Sequence, residues 1–150
     1  MILGSARDTC ELGRRMADLL EPGDLVLLTG TLGAGKTVLA QGIGAGLGVS
    51  GPVTSPTFVI ARTHRGGRLT LVHVDAYRLG GVAEIDDLDL DATLAQSVTV
   101  VEWGGGLAER LADAYLEIRL DRGDDDGARV AELIPVGGTW QQRLRGLVAG

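Results

Sequence analysis

Residues 30–37, Gly30-Thr31-Leu32-Gly33-Ala34-Gly35-Lys36-Thr37, follow the apolar run Leu25-Val26-Leu27-Leu28 and open onto a helical pattern that begins near Lys36. This order confines the chain locally to a strand, a tight glycine turn and a helix. Glycines let the backbone curl so that several N–H groups point at one anion, and the helix N-terminus adds partial positive charge. Lys36 is placed to reach the β- and γ-phosphates of a nucleotide, and the Thr37 hydroxyl to ligate Mg²⁺. Leu32, Gly33, Ala34, Gly35, Lys36 and Thr37 are therefore the candidate nucleotide-binding set.

The rest of the chain predicts an α/β fold: a P-loop NTPase-like three-layer sandwich with a mixed, mainly parallel sheet, antiparallel hairpins and helices on both faces. Residues 8–20 read as an amphipathic helix, with Asp8 or Thr9 as the cap and Glu11 as the capping-box acid, and Pro22-Gly23 ends it. Residues 24–29 are apolar without alternation, which suits a strand buried on both faces. The helix after the glycine loop runs to about Leu47 and contains Gly42, Gly44 and Gly46, each about 1 kcal/mol less helix-favouring than alanine. Close packing on the sheet is the expected compensation. Residues 57–64 and 68–75 read as strands joined at Arg65-Gly66-Gly67, and 97–102 as a further strand. Short helical stretches are expected within 83–95 and at 105–112. A second hairpin is expected from 114–120 and 128–136, and a last amphipathic helix over 139–148.

At 150 residues, with 45% hydrophobic residues, one domain spanning 1–150 and a proper core are expected. Aromatics are only 3%, so aliphatic side chains must do most of the packing. The net charge of −6 disfavours direct coating of RNA or DNA, which asks for a basic face. The single cysteine, Cys10, cannot form an internal disulfide. Arg7 and Asp8 come too early for a signal peptide, and no apolar run approaches the roughly 18 residues that a bilayer needs. The expectation is a cytoplasmic protein with no membrane partner.

A phosphate loop binds a triphosphate without by itself hydrolysing it; a second acidic anchor for Mg²⁺ and a group that orders water are also needed. Asp75 and Glu102 each close an apolar strand, and side chains at strand C-termini line the ligand crevice of an open α/β sheet. Either acid can hold the metal or its water shell, or orient the water. Asp75, Glu102 and Lys36 are the catalytic candidates, and Thr37, Glu102 and Asp75 the metal candidates. Ser55-Pro56-Thr57-Phe58 is either a switch-like loop facing the phosphates or an ordinary turn. Strand alternation puts His73 on the same face as Asp75, where a hydrogen-bonded structural histidine is favoured over a general base. Arg78 either acts on phosphate charge or pairs with the acidic stretch 84–91. One Cys and two separated His give no zinc cluster.

Taken in order, Thr9-x-x-Leu12-Gly13, Gly30 to Thr37, Ser55-Pro56-Thr57-Phe58, His73-Val74-Asp75-Ala76-Tyr77-Arg78 and Val101-Glu102-Trp103 resemble the TsaE family, the small bacterial P-loop ATPases of tRNA threonylcarbamoyladenosine biosynthesis. The resemblance spans nearly the whole chain. It implies binding of ATP with Mg²⁺, slow hydrolysis by the protein alone, and work with the partner proteins TsaD and TsaB, through which tRNA is reached indirectly. It further implies that Thr9 contacts the nucleotide, that Gly33 to Thr37 hold its phosphates, and that Thr37 and Glu102 hold Mg²⁺. Asp75 would serve the metal's outer shell or the water, and Ser55–Phe58 would be the switch-like element. The chain departs from the family pattern at Gly104-Gly105-Gly106-Leu107, which lacks a proline-containing stretch, and at the acidic tip 122–127.

A partner-dependent ATPase is the leading reading. A small-molecule kinase would need an arginine-bearing lid, whereas Arg65-Gly66-Gly67-Arg68 reads as a hairpin tip. A nucleotide-gated binding module with incidental turnover shares every motif with the ATPase. No Asn-Lys-x-Asp guanine-reading element is present, and adenine is the expected base, mainly because the family resemblance implies it.

Overall fold

The computed structural model describes residues 2–30, 35–49, 61–75, 96–102, 113–123 and 128–149, with backbone alone at 61, 62, 75, 148 and 149. The segments expected to be helical within 83–95 and at 105–112, and the loop 55–58, lie outside the described residues.

The elements are β1 (Ile2–Leu3), α1 (Ala6–Ala17), β2 (Leu25–Gly30), α2 (Lys36–Leu47), β3 (Ala61–His64), β4 (Thr70–Asp75), β5 (Ser97–Glu102), β6 (Tyr115–Arg122), β7 (Arg129–Val136) and α3 (Trp140–Ala149). The strands form one sheet in the order β1-β7-β6-β2-β5-β4-β3. Its four central strands, β6, β2, β5 and β4, run parallel, while β7, β1 and β3 join antiparallel at the flanks. The two expected hairpins are these flanking pairs, β3–β4 and β6–β7.

β2 is the central strand, and Leu25, Val26, Leu27 and Leu28 are all buried, as the unalternating apolar run requires. Val26 and Leu28 join Val98 and Val100 of β5, Leu71 of β4 and Ile118 of β6 on the face covered by α1 and α2. Leu25 and Leu27, with Val72, Val74 and Val101, are equally buried on the opposite face.

α1 begins one turn before the sequence suggests. Its cap is Ser5, whose Oγ accepts the Asp8 N–H at 3.2 Å, while Asp8 reaches back to accept the Gly4 N–H at 3.0 Å. Asp8 stands at the capping-box position one turn earlier than the Asp8–Glu11 spacing predicts, but its carboxylate takes the N–H of the residue before the cap. At its far end, α2 closes on Gly48 at φ 77°, with Gly48 N–H bonded to Ala45 O and Val49 N–H to Gly44 O, a Schellman closure.

Gly42 and Gly46 of α2 are not compensated by the sheet, as the sequence reading expects; they meet α1. A Cβ on Gly42 would strike the Cys10 carbonyl oxygen, one on Gly46 the Ala17 side chain and Arg14 backbone, and one on Gly13 of α1 the Leu39 and Ile43 backbone. The two helices touch main chain to main chain, so α2 is buried against α1 and the sheet together. Arg68, in the β3–β4 turn, donates to Ala17 O at 2.5 Å and Leu20 O at 3.2 Å, a cation at the C-terminal end of α1.

Candidate functional site

β2 carries the chain to the C-terminal edge of the parallel strands and ends there at Gly30, whose φ is 116°. A Cβ at this position would collide with the Leu120 carbonyl of β6, so only glycine fits both the angle and the approach. Leu32, Gly33 and Ala34 lie outside the described residues. The chain is described again from Gly35, the N-cap of α2, at φ 97° in the left-handed region, and among the described residues no side chain caps the helix. The first amides of a helix have no acceptor inside it, and here the cap supplies none. Those amides and the helix dipole face the edge where β2 ends, the arrangement that favours a phosphate.

Lys36, the first residue of α2, is only 5% exposed, and its Nζ donates to Gly30 O at 3.2 Å. Burial lowers its pKa from the ordinary 10.5, and the charges of Glu102 and Asp121 oppose that shift. Thr37, the next residue, is half-buried in the first turn of α2. Thr9 is buried in α1, with its Oγ1 donating to Ser5 O at 3.3 Å. Its methyl lies 3.6 Å from the point where a Gly35 Cβ would stand, so the helix pairing brings Thr9 beside the loop.

The acidic side of the edge comes from β5 and β4. Glu102 is paired in register with Leu28 of β2 and with Asp75 of β4, and is 5% exposed. The two strand-end acids are thus neighbours along the edge; the Asp75 side chain lies outside the described residues. His73, two residues before Asp75 on the same face, is fully buried, and its Nε2 is 2.5 Å from Glu102 Oε2. Among the described residues, His73 Nδ1 has no hydrogen-bond partner. The favoured reading of His73 as a hydrogen-bonded residue holds, and its partner is a candidate site residue. The sequence reading missed that pairing and the charge of Asp121 on Lys36. The usable signals were a His two residues before one strand-end acid with a second acid on another strand, and an acid closing the β6 segment. Tyr77, Arg78 and Trp103 lie outside the described residues.

The donor set suits magnesium held together with a nucleotide. Among the described residues, no three His, Cys, Asp or Glu side chains form a metal cage. Mg²⁺ is usually held by one or two carboxylates, waters and the substrate's own phosphates. One buried carboxylate, one hydroxyl-bearing residue at a helix start and a buried ammonium are the protein's share of such a site.

The fold and the edge define a P-loop-type α/β protein. The family model for threonylcarbamoyl adenosine biosynthesis protein TsaE matches residues 3–131. The chain is 58% identical to the tRNA threonylcarbamoyladenosine biosynthesis protein TsaE of Streptomyces coelicolor over 85% of its own length and 88% of that protein's. It is 50% identical to the protein of that name from Mycobacterium tuberculosis, over 86% and 82% of the two chains. The crystal structure of Bacillus subtilis YdiB superposes with a TM-score of 0.82 at 30% identity, covering 99% of this chain and 93% of that one. The chain belongs to the TsaE family. Among the described residues, no helix is long and apolar enough to cross a membrane.

Proposed function

We propose that residues 1–150 form one ATPase domain, a Mg²⁺-dependent subunit that binds and hydrolyses ATP to ADP and phosphate in the cytoplasm. It supports threonylcarbamoyl modification of the adenosine beside the tRNA anticodon by acting through TsaD and TsaB. Hydrolysis is slow in the isolated protein and depends on those partners. The observation that carries this reading is that the buried Lys36 ammonium, bonded to Gly30 O, and the buried Glu102 carboxylate share one sheet edge by the start of α2, near enough for Glu102 to act on the charge of the lysine.

In this reading Lys36 and the first amides of α2 bind the β- and γ-phosphate oxygens, with Leu32, Gly33, Ala34 and Gly35 wrapping the same anion. Thr9 contacts the nucleotide from α1. Thr37 and Glu102 hold the metal, and Asp75 serves its water shell or orients the attacking water. Mg²⁺, when bound, neutralises charge on the phosphates and on the developing transition state. A chain of net charge −6 reaches tRNA through its partners rather than by its own surface.

Calorimetry with ATP, ADP and GTP in Mg²⁺, followed by phosphate release with and without the TsaD–TsaB complex, tests the proposal. Adenine-selective binding and a rate raised by the partners are expected. No binding heat with ATP would overturn it. Tight binding with a negligible rate that the partners leave unaltered would make the protein a nucleotide-gated module instead.

A further inference from the structure

We propose that His73 is a positioning residue for Glu102. Its Nε2–H fixes one carboxylate oxygen, Oε2, and thereby sets how Glu102 presents the other to the metal. The inference rests on the reading of Glu102 as a metal ligand. The geometry comes from the parallel register of β4 and β5. His73 lies opposite Val100 and Asp75 opposite Glu102, so His73 and Glu102 are diagonal neighbours on the face that carries Leu71 and Val100. The 2.5 Å contact spans that diagonal.

Packing alone does not account for a histidine here. The ring is fully buried, and among the described residues its Nδ1 has no hydrogen-bond partner. An unsatisfied buried polar atom is destabilising, and a leucine of similar bulk would avoid it. The hydrogen bond that the ring does make is to the carboxylate. Glu102 gains from it twice. A buried carboxylate needs a donor, and a long side chain held at one oxygen loses the rotamers that would swing it away from a cation. An ionised carboxylate oxygen only accepts, so in this contact Nε2 is the donor.

The test uses the full-length protein and measures Mn²⁺ affinity in the presence of ADP by electron paramagnetic resonance, with metal-free ADP affinity measured in parallel. His73→Leu removes the donor. His73→Gln keeps an N–H donor at similar reach, and His73→Asn carries the same amide one methylene too short. Leu and Asn are expected to weaken Mn²⁺ binding about 10- to 100-fold, the size of a lost outer-shell contact, with metal-free ADP binding unchanged and Gln restoring most of the loss. If the Leu variant does not fold, the Gln–Asn difference carries the comparison. Wild-type Mn²⁺ affinity in the Leu variant, or equal behaviour of Gln and Asn, overturns the proposal. Glu102→Gln separates the two readings. If it too binds Mn²⁺ normally, the metal role of Glu102 falls and the positioning role with it. If it loses Mn²⁺ while His73→Leu does not, only the positioning role falls.

Discussion

Gly30 and Lys36 set the edge of the site through opposite demands. Gly30 must have no side chain. Its φ of 116° lies where other residues are strained, and Leu120 O occupies the space a Cβ would take. Strain and overpacking each cost about 1–3 kcal/mol, so Gly30→Ala is expected to destabilise the protein by about 3 kcal/mol or more in urea titration. Lys36 must keep its charge while buried. Because burial lowers its folded pKa below 10.5, the unfolded chain holds the extra proton between the two values, and this residue's contribution to stability rises with pH across that window. Nucleotide binding runs the other way, since a neutral amine no longer attracts phosphate. ATP affinity is therefore expected to fall with rising pH, at alkaline values below those of an ordinary lysine. In Lys36→Met, affinity is expected to be at least tenfold weaker and that alkaline limb to vanish. Calorimetry in a pH series checks both, and a persistent limb in Lys36→Met would assign it to another group.

The helix pair α1–α2 is the element that holds Thr9 against the loop, and its seam is made of glycine. In an exposed helix, Gly→Ala gains about 1 kcal/mol of propensity. At Gly42 the added methyl would strike the Cys10 carbonyl oxygen, a backbone atom that cannot turn aside, and overpacking of this kind costs about 1–3 kcal/mol. Gly42→Ala is expected to lower the Tm. Gly146→Ala in α3, where nothing lies within 4 Å of the added methyl, is expected to raise it by the propensity gain. Thermal denaturation of the two variants gives opposite signs if the seam is as tight as it is built; equal signs would dismiss the packing argument. The helical nature of 36–47 is legible in the sequence, but the surface that excuses its glycines is not. Periodicity reports which residues are buried and not which neighbour buries them. The start of α1 fails similarly, because Ser5-x-x-Asp8 and Asp8-x-x-Glu11 are both capping patterns one turn apart. β1 has only two residues, too few for any alternation, and exists because β7 pairs with it. Glu102 and Asp75 were legible by the strand-end rule. The His73–Glu102 contact was not, since it depends on the strand order that sets β4 beside β5.

Across the whole molecule, the two ends of β2 do different work. The C-terminal end, at Gly30, belongs to the candidate site. Just before its N-terminal end, buried Asp24 binds Arg143 of α3 through the two terminal guanidinium nitrogens, Nη1–Oδ2 at 2.6 Å and Nη2–Oδ1 at 3.0 Å. Arg143 also donates to Leu19 O at 3.0 Å and stacks 4.0 Å over the ring of buried Trp140. Arg15 of α1 donates to Leu147 O at 2.6 Å, so the last helix is tied both to the root of the central strand and to α1. Asp24 is buried and Arg143 only partly so, and removing the cation leaves a poorly compensated charge at a cost of about 1–3 kcal/mol. Arg143→Met is expected to lose stability on that scale, a fall in Tm of about 2–4 °C for each kcal/mol in a chain of this size. Asp24→Leu combined with Arg143→Met removes both charges and is expected to recover part of the loss. The recovery is incomplete because Asp24 also accepts the Glu21 N–H at 2.7 Å. At about 3.3 Å per residue, six residues of strand separate this anchor from Gly30 by roughly 20 Å. ADP affinity of the folded Arg143→Met protein is therefore expected to stay within about twofold of wild type, since among the described residues no contact of the anchor reaches the edge. Urea titration and ADP calorimetry on the same preparation decide the matter. An affinity loss as large as that of Lys36→Met would mean that β2 transmits strain from its root to the phosphate loop, and the two ends would have to be treated as one site.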